Sequence, residues 1–191
     1  MITLGVDEVG RGSIAGPLVV GAVALDLDID GLKDSKLLSE ASRIQLAKVI
    51  YERAKFIGLG WVSSLELDKI GLTKSLTLAA KRSLRLLKFT VDRVVLDGNY
   101  NYLPISLVTE TIVGGDNIEP SISAASIVAK VARDAYMTDI AKKFPEFNFD
   151  KNAGYGTSKH IMAVKRFGIC EQHRRSFEPV KSNLSRIYRT P

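Results

Sequence analysis

Asp7 and Glu8 are adjacent, close an apolar run, and stand directly before a glycine-flanked arginine in "VDEVGRG" (residues 6–12). Asp97 ends a second apolar run, "RVVLDG" (93–98), and Asp116 follows two glycines in "VGGD" (113–116). Two unit charges about 4 Å apart repel by roughly 4 kcal/mol at an effective dielectric near 20, so converging carboxylates either take up protons or recruit a cation. Oxygen ligands select Mg²⁺ or Mn²⁺, which also accept phosphate oxygens and water. Neither histidine, His160 nor His173, has another His or Cys at metal-ligand spacing, which disfavours zinc. Four such acids could hold two ions on either side of a scissile phosphate, one activating water and one stabilising the leaving oxygen. Each acid also has a plainer reading. Asp97 before Gly98-Asn99 suits a turn, and Asp116 could serve to start a helix at Pro120. The adjacent pair Asp7-Glu8 is the hardest to explain that way.

The elements that would position these acids follow from the apolar pattern. Ile2, Leu4 and Val6 alternate with Thr3, Gly5 and Asp7, which predicts a strand ending on the acid. "PLVVGAVAL" (17–25) predicts a second strand, "KFIGLGWVS" (55–63) a glycine-weakened one, and 93–98 and 107–116 two more. Helices are expected over about 39–55, as one or two pieces within 65–88, from Pro120 through "SISAASIVAKVARDAYMTDIAKKF", and over about 157–167, with a basic, irregular end to the chain. Strands interleaved with helices indicate an α/β fold with a central mixed sheet. If the strands carrying Asp7 and Asp97 are parallel neighbours, both carboxylates emerge at one sheet edge, where open α/β sheets place their ligands.

Composition narrows the partner. The chain of 191 residues has 27 Lys and Arg against 21 Asp and Glu, a net charge of +6. From Lys159 onward eight basic residues face two acids, so this stretch holds the whole excess. It suits a phosphate backbone whose binding weakens with salt, although a solvated basic face would look the same. The single cysteine, Cys170, excludes an intrachain disulfide. No apolar run reaches membrane-spanning length, and Met1 leads straight into "ITLGVD", so no membrane partner and a cytoplasmic location are expected. Gly10, Gly12 and Ala15 also fit the dinucleotide pattern G-x-G-x-x-G/A. Against that reading, Pro17 and a β-branched strand follow where a helix N-terminus should hold pyrophosphate, and Asp7 and Glu8 would repel it.

Six blocks in chain order carry a family resemblance: "VDEVGRG" (6–12), "KDSKLLSE" (33–40), "VVLDGN" (94–99), "GGDNIEPSISAASIVAKVARD" (114–134), "GYGT" (154–157) and "HRRSFEPVK" (173–181). Together they resemble ribonuclease HII. The resemblance implies a ribonuclease H-like fold, with a catalytic core over 1–145 and a small helical appendage over 146–191 packed on it as one structural unit. It implies hydrolysis of the RNA strand of RNA/DNA hybrids and cleavage 5′ of single ribonucleotides in duplex DNA, leaving 3′-hydroxyl and 5′-phosphate ends. Ribonucleotide and primer removal would be the biological use. It further implies two Mg²⁺ or Mn²⁺ ions held by Asp7, Glu8, Asp97 and Asp116, with Asp134 of "ARD" a rival for the fourth position.

On the same resemblance, Gly10, Arg11 and Gly12 form a loop that reads the ribonucleotide junction. Glycine lets backbone approach a 2′-hydroxyl, and arginine can grip phosphate. Tyr155 would pack on the sugar after the ribonucleotide. Ser35 and Lys36 would contact phosphate or support the metal site, and Arg174 and Arg175 would contact the backbone, with Lys130 and Ser121, Ser123 and Ser126 as further candidates. Asn152-Ala153 replaces the usual basic pair before the glycine and tyrosine. The ending "SRIYRTP" lacks the glutamine-and-aromatic pattern for sliding-clamp docking, and a monomer is expected. A junction resolvase on a related fold would share the acids but not "GRG". A hybrid-binding module without catalysis would gain nothing from acids that repel phosphate.

Overall fold

The computed structural model describes residues 1–32, 38–104 and 107–187, with backbone only for 184–187. Five strands form one sheet in the order β3-β2-β1-β4-β5: β1 (Thr3–Val9), β2 (Leu18–Leu25), β3 (Phe56–Val62), β4 (Arg93–Asp97) and β5 (Thr109–Ile112). The sheet is mixed. β1 runs antiparallel to β2, parallel to β4, and β4 runs parallel to β5. β1 sits at the centre, and its first five residues are buried on both faces. The alternation read from the sequence therefore does not mark a solvent face. Its small members let a helix approach, and Gly5 shows how closely: a Cβ there would lie 2.0 Å from the Ser121 carbonyl carbon.

The helices are α1 (Glu40–Arg53), α2 (Ser64–Ile70), α3 (Leu72–Ser83), α4 (Pro120–Lys143), the single turn α5 (Phe149–Asn152), α6 (Ser158–Phe167) and α7 (Val180–Ile187). Ser39 caps α1 by accepting from the Ser42 N–H at 3.1 Å, and Ser63 with Glu66 forms a capping box on α2. Gly71 divides the 65–88 stretch into two helices. The strand expected over 107–116 is shorter, because Gly114 turns the chain into a 3-10 turn at Gly115–Asn117. The end of the chain is not irregular throughout: α7 forms there, a helix missed because eight residues give too few turns for a clear period.

The chain divides into two compact units. The first comprises 1–9, 19–61 and 76–132, and contains nearly all of the sheet; its core joins Val23, Leu25 and Ile29 to Ala47 and Ile50 of α1 and to Ala124, Ala125 and Val128 of α4. The second comprises 10–18, 62–75 and 133–191, and packs Met137 and Ile140 against Phe147, Phe149, Ala163 and Val164. No helix among the described residues is long and apolar enough to cross a membrane.

Candidate active site

In the first unit, parallel pairing sets Val6 beside Leu96. Asp7 and Asp97 are the next residues on these neighbouring strands, so the sheet delivers both carboxylates to one edge. Asp7 is 8% exposed. Burial pushes its carboxyl up to about 7; Ser126 and the Glu8 N–H hydrogen-bond to it and oppose the rise, while the charges of Glu8 and Asp97 add to it. Asp116, carried just past β5 by the 3-10 turn, is also buried. Glu8 and Asp116 line one cavity of about 230 Å³ with Val9, Arg43, Ser126, Ile127 and Lys130.

Each acid accepts at least one hydrogen bond that orients it. Asp7 Oδ1 accepts the Glu8 N–H at 2.7 Å, and Glu8 Oε2 accepts the Tyr102 hydroxyl at 2.8 Å. Asp97 Oδ1 accepts the Gly115 N–H at 2.7 Å, and Asp116 Oδ1 accepts from Asn117 Nδ2 at 3.1 Å. Ser123 Oγ donates to the Asp116 carbonyl from α4, tying the turn to that helix. Burial first, and then the like charges of Glu8 and Asp97, raise Asp7, and an oxygen-only set of crowded carboxylates is what a divalent cation neutralises. Among the described residues, no three His, Cys, Asp or Glu side chains are drawn together closely enough to grip an ion as they stand. The donor chemistry fits the ion, and closure around it requires side-chain adjustment.

Tyr102 and Arg43 escaped the sequence reading. Tyr102 is 3% exposed, and burial followed by the Glu8 charge drives its phenol well above the ordinary value, so it stays a donor to Glu8. Its only sequence signal was the run "DGNYNY" after Asp97, where Tyr100 is an equal candidate.

The second unit carries the loop from Gly10 to Leu18. Gly10 is buried at φ 81°, and a Cβ there would lie 2.3 Å from Arg133 Nε, so the turn excludes any other residue. Arg11 and Gly12 are exposed. Beneath them Arg133 donates to the carbonyls of Pro17, Ala15 and Ala153 and to Ser13 Oγ. Arg174 donates to the carbonyls of Gly16 and Arg11. This departs from the surface phosphate contact expected of Arg174. Its side chain is fully buried and burial lowers it to about 9, helped by the Arg133 charge. The basic run hid this, because burial of an arginine by backbone carbonyls leaves no mark in composition. Arg175 is exposed, with its N–H on Asp68, and Tyr155 is 39% exposed. Asp134 belongs to this unit, whereas the four acids described above belong to the first. Ser35 and Lys36 lie outside the described residues.

The family model for ribonuclease HII matches residues 4–180. The chain belongs to the ribonuclease HII family. It is 44% identical over 190 residues to the ribonuclease HII of Polynucleobacter necessarius, covering 96% of this chain and 95% of that one. The fold is similar to that of Pyrococcus horikoshii ribonuclease H2, with a TM-score of 0.82 at 24% identity and full coverage of both chains. It is also similar to the ribonuclease HII from Archaeoglobus fulgidus solved in complex with PCNA: TM-score 0.78, 26% identity, 93% of this chain and 96% of that one. The chain is thus a ribonuclease H endonuclease of the α/β class, in a family that depends on divalent metal.

Proposed function

We propose that this protein cuts the RNA strand of RNA/DNA hybrids and cleaves 5′ of single ribonucleotides embedded in duplex DNA. Asp7, Glu8, Asp97 and Asp116 would hold two Mg²⁺ or Mn²⁺ ions. When bound, such ions lower the pKa of water and neutralise charge on the phosphate. The observation that carries the reading is the parallel register of β1 and β4, which makes Asp7 and Asp97 the next residues on adjacent strands, with Asp7 raised first by burial and further by the charges of Glu8 and Asp97.

The chain's own residues divide the remaining work. Tyr102 keeps Glu8 oriented, the Gly115 N–H does the same for Asp97, and Ser126 donates to Asp7. Lys130 and Arg43, on the wall shared with Glu8 and Asp116, suit a phosphate oxygen entering the cavity. In the reaction a water oxygen bonds to phosphorus, the P–O3′ bond breaks, and the 3′-oxygen takes a proton. This leaves 3′-hydroxyl and 5′-phosphate ends. Gly10, Arg11 and Gly12 would inspect the 2′-hydroxyl, which separates RNA from DNA. Tyr155 would pack on the following sugar, where a second 2′-hydroxyl is disfavoured, and exposed Arg175 would meet the backbone. Arg174 then acts by shaping the loop through the Arg11 carbonyl.

A DNA duplex with one ribonucleotide, incubated with Mg²⁺ or Mn²⁺ beside an all-DNA duplex, tests the reading. A single cut 5′ of the ribonucleotide is expected in the first and none in the second. Equal cutting of both, or of neither, overturns it.

A further inference from the structure

The second unit buries its two histidines side by side, and the partners at the ends of the pair fix every proton in it. The Cys170 N–H donates to His173 Nδ1 at 3.0 Å. A backbone amide can only donate, so Nδ1 accepts and the proton of His173 is on Nε2. His173 Nε2 lies 3.1 Å from His160 Nε2, which must then accept, putting the proton of His160 on Nδ1. His160 Nδ1 lies 2.9 Å from the Tyr155 carbonyl, which can only accept. Three hydrogen bonds therefore run in one direction, from the Cys170 amide to the Tyr155 carbonyl. An extra proton on either ring would set two N–H groups against each other. Burial lowers both imidazoles, His173 to about 4, in keeping with two neutral rings.

The surroundings leave this chain little freedom. Phe147 meets His173 edge-on at 4.7 Å between ring centroids, and Phe149 meets His160 at 5.3 Å. The Tyr155 carbonyl also accepts the Thr157 N–H at 2.8 Å, and its own N–H donates to the Asn152 carbonyl at 2.8 Å. Thr157 caps α6 through the His160 N–H at 3.3 Å. The backbone of Tyr155 is thus clamped from three sides while its half-exposed ring has the Arg133 guanidinium 5.8 Å from the centroid.

We propose that His160 and His173 are positioning residues for substrate discrimination: the directed chain Cys170–His173–His160 fixes the Tyr155 carbonyl, and so the angle at which the Tyr155 ring meets a sugar. This rests on the reading of Tyr155 given above. Neither histidine touches the nucleic acid; each acts through the tyrosine backbone.

Asparagine and glutamine separate this from a packing role, because the asparagine amide reaches the place of Nδ1 and the glutamine amide the place of Nε2. His160→Asn keeps a donor for Tyr155, and His160→Gln gives it up, while both lose the ring. The readout is the ratio of kcat/KM on a single-ribonucleotide duplex to kcat/KM on a continuous hybrid. His160→Gln is expected to lower that ratio about tenfold, on the scale of removing a positioning partner, with His160→Asn restoring it to within about twofold of the parent. Equal ratios for the two variants overturn the relay. Tyr155→Ala, measured alongside, tests the tyrosine reading separately: an unchanged ratio there removes the reading. The relay is then judged by imidazole ¹⁵N shifts in the parent protein, where a proton on Nε2 of His160 overturns it and one on Nδ1 supports it.

Discussion

At the carboxyl ends of β1 and β4, Asp7 is buried beside Glu8 and Asp97; beneath residues 10–18, the buried charges are Arg133 and Arg174. Both places concentrate one sign of charge away from water, yet they satisfy it differently. The arginines are met mainly by backbone carbonyls, most of them in the loop they support, and among the described residues no carboxylate hydrogen-bonds to them, although Arg174 keeps one buried nitrogen, Nη2, without a partner. The acids accept from amide, hydroxyl and side-chain amide donors, and burial together with the charges of Glu8 and Asp97 still raises Asp7 to about 7. A charge cluster that its own fold completes is architecture. One that crowds buried carboxylates of like charge calls for a cation, and this difference separates the metal-binding reading of the acids from the supporting role of Arg174.

The largest expected effect breaks the incomplete side. Asp7→Asn keeps the shape of the side chain and removes its charge. Cleavage of the single-ribonucleotide duplex should fall by about 1,000-fold or more, as when one member of a catalytic unit is lost. In EDTA the same variant should melt higher than the parent, because a desolvated carboxylate has gone. Activity within about tenfold of the parent would remove Asp7 from the ligand set.

Much of that side was legible in the sequence. Strand ends marked by acids and two glycines before Asp116 are local signals, and the parallel pairing of β1 with β4 brings Asp7 and Asp97 to one sheet edge. The completed side was not legible. Arg133 lies in the long helix α4, whose apolar residues cover so much of its circumference that no polar stripe announces which charges are buried. Arg174 looked like its neighbour Arg175, although one is fully buried and the other exposed. Tyr102 reaches Glu8 across 94 residues of chain, a pairing that no spacing rule contains. What the sequence hides here is tertiary satisfaction, the identity of the group that answers each buried polar atom.

The next effect sharpens the completed side. Arg133→Met would leave the carbonyls of Pro17, Ala15 and Ala153 and the Ser13 hydroxyl without that donor, at about 1–3 kcal/mol for each buried group left unsatisfied. Relaxation and water entry cut the sum, so a net loss of about 3–5 kcal/mol is expected from urea unfolding. Arg174→Met should cost less, about 1–3 kcal/mol, because Arg174 serves two carbonyls and its Nη2 is buried without a hydrogen-bond partner. A larger loss for Arg174 than for Arg133 would refute this ranking by satisfied carbonyls.

The smallest effect sets the two units against each other through pH. Asp7 has its folded value raised from 3.8 to about 7, so it penalises folding increasingly as pH rises from about 4 to 7 in the absence of metal. His173 has its folded value lowered from 6.5 to about 4, so its contribution is intact above 6.5 and is lost as pH falls toward 4. Between 4 and 6.5 the slopes oppose, and the parent in EDTA should show a melting temperature that changes little over that window relative to its variants. Asp7→Asn removes one slope, and its advantage over the parent should grow from pH 4.5 to 7.5. His173→Gln removes the other, and its deficit against the parent should shrink as pH falls from 6.5 to 4.5. Comparing each variant with the parent at the same pH cancels the distant carboxylates common to both. Melting curves whose differences run parallel across the range would show that neither group titrates with folding, and the contrast between an incomplete acid cluster and a neutral, closed histidine pair would lose its electrostatic basis.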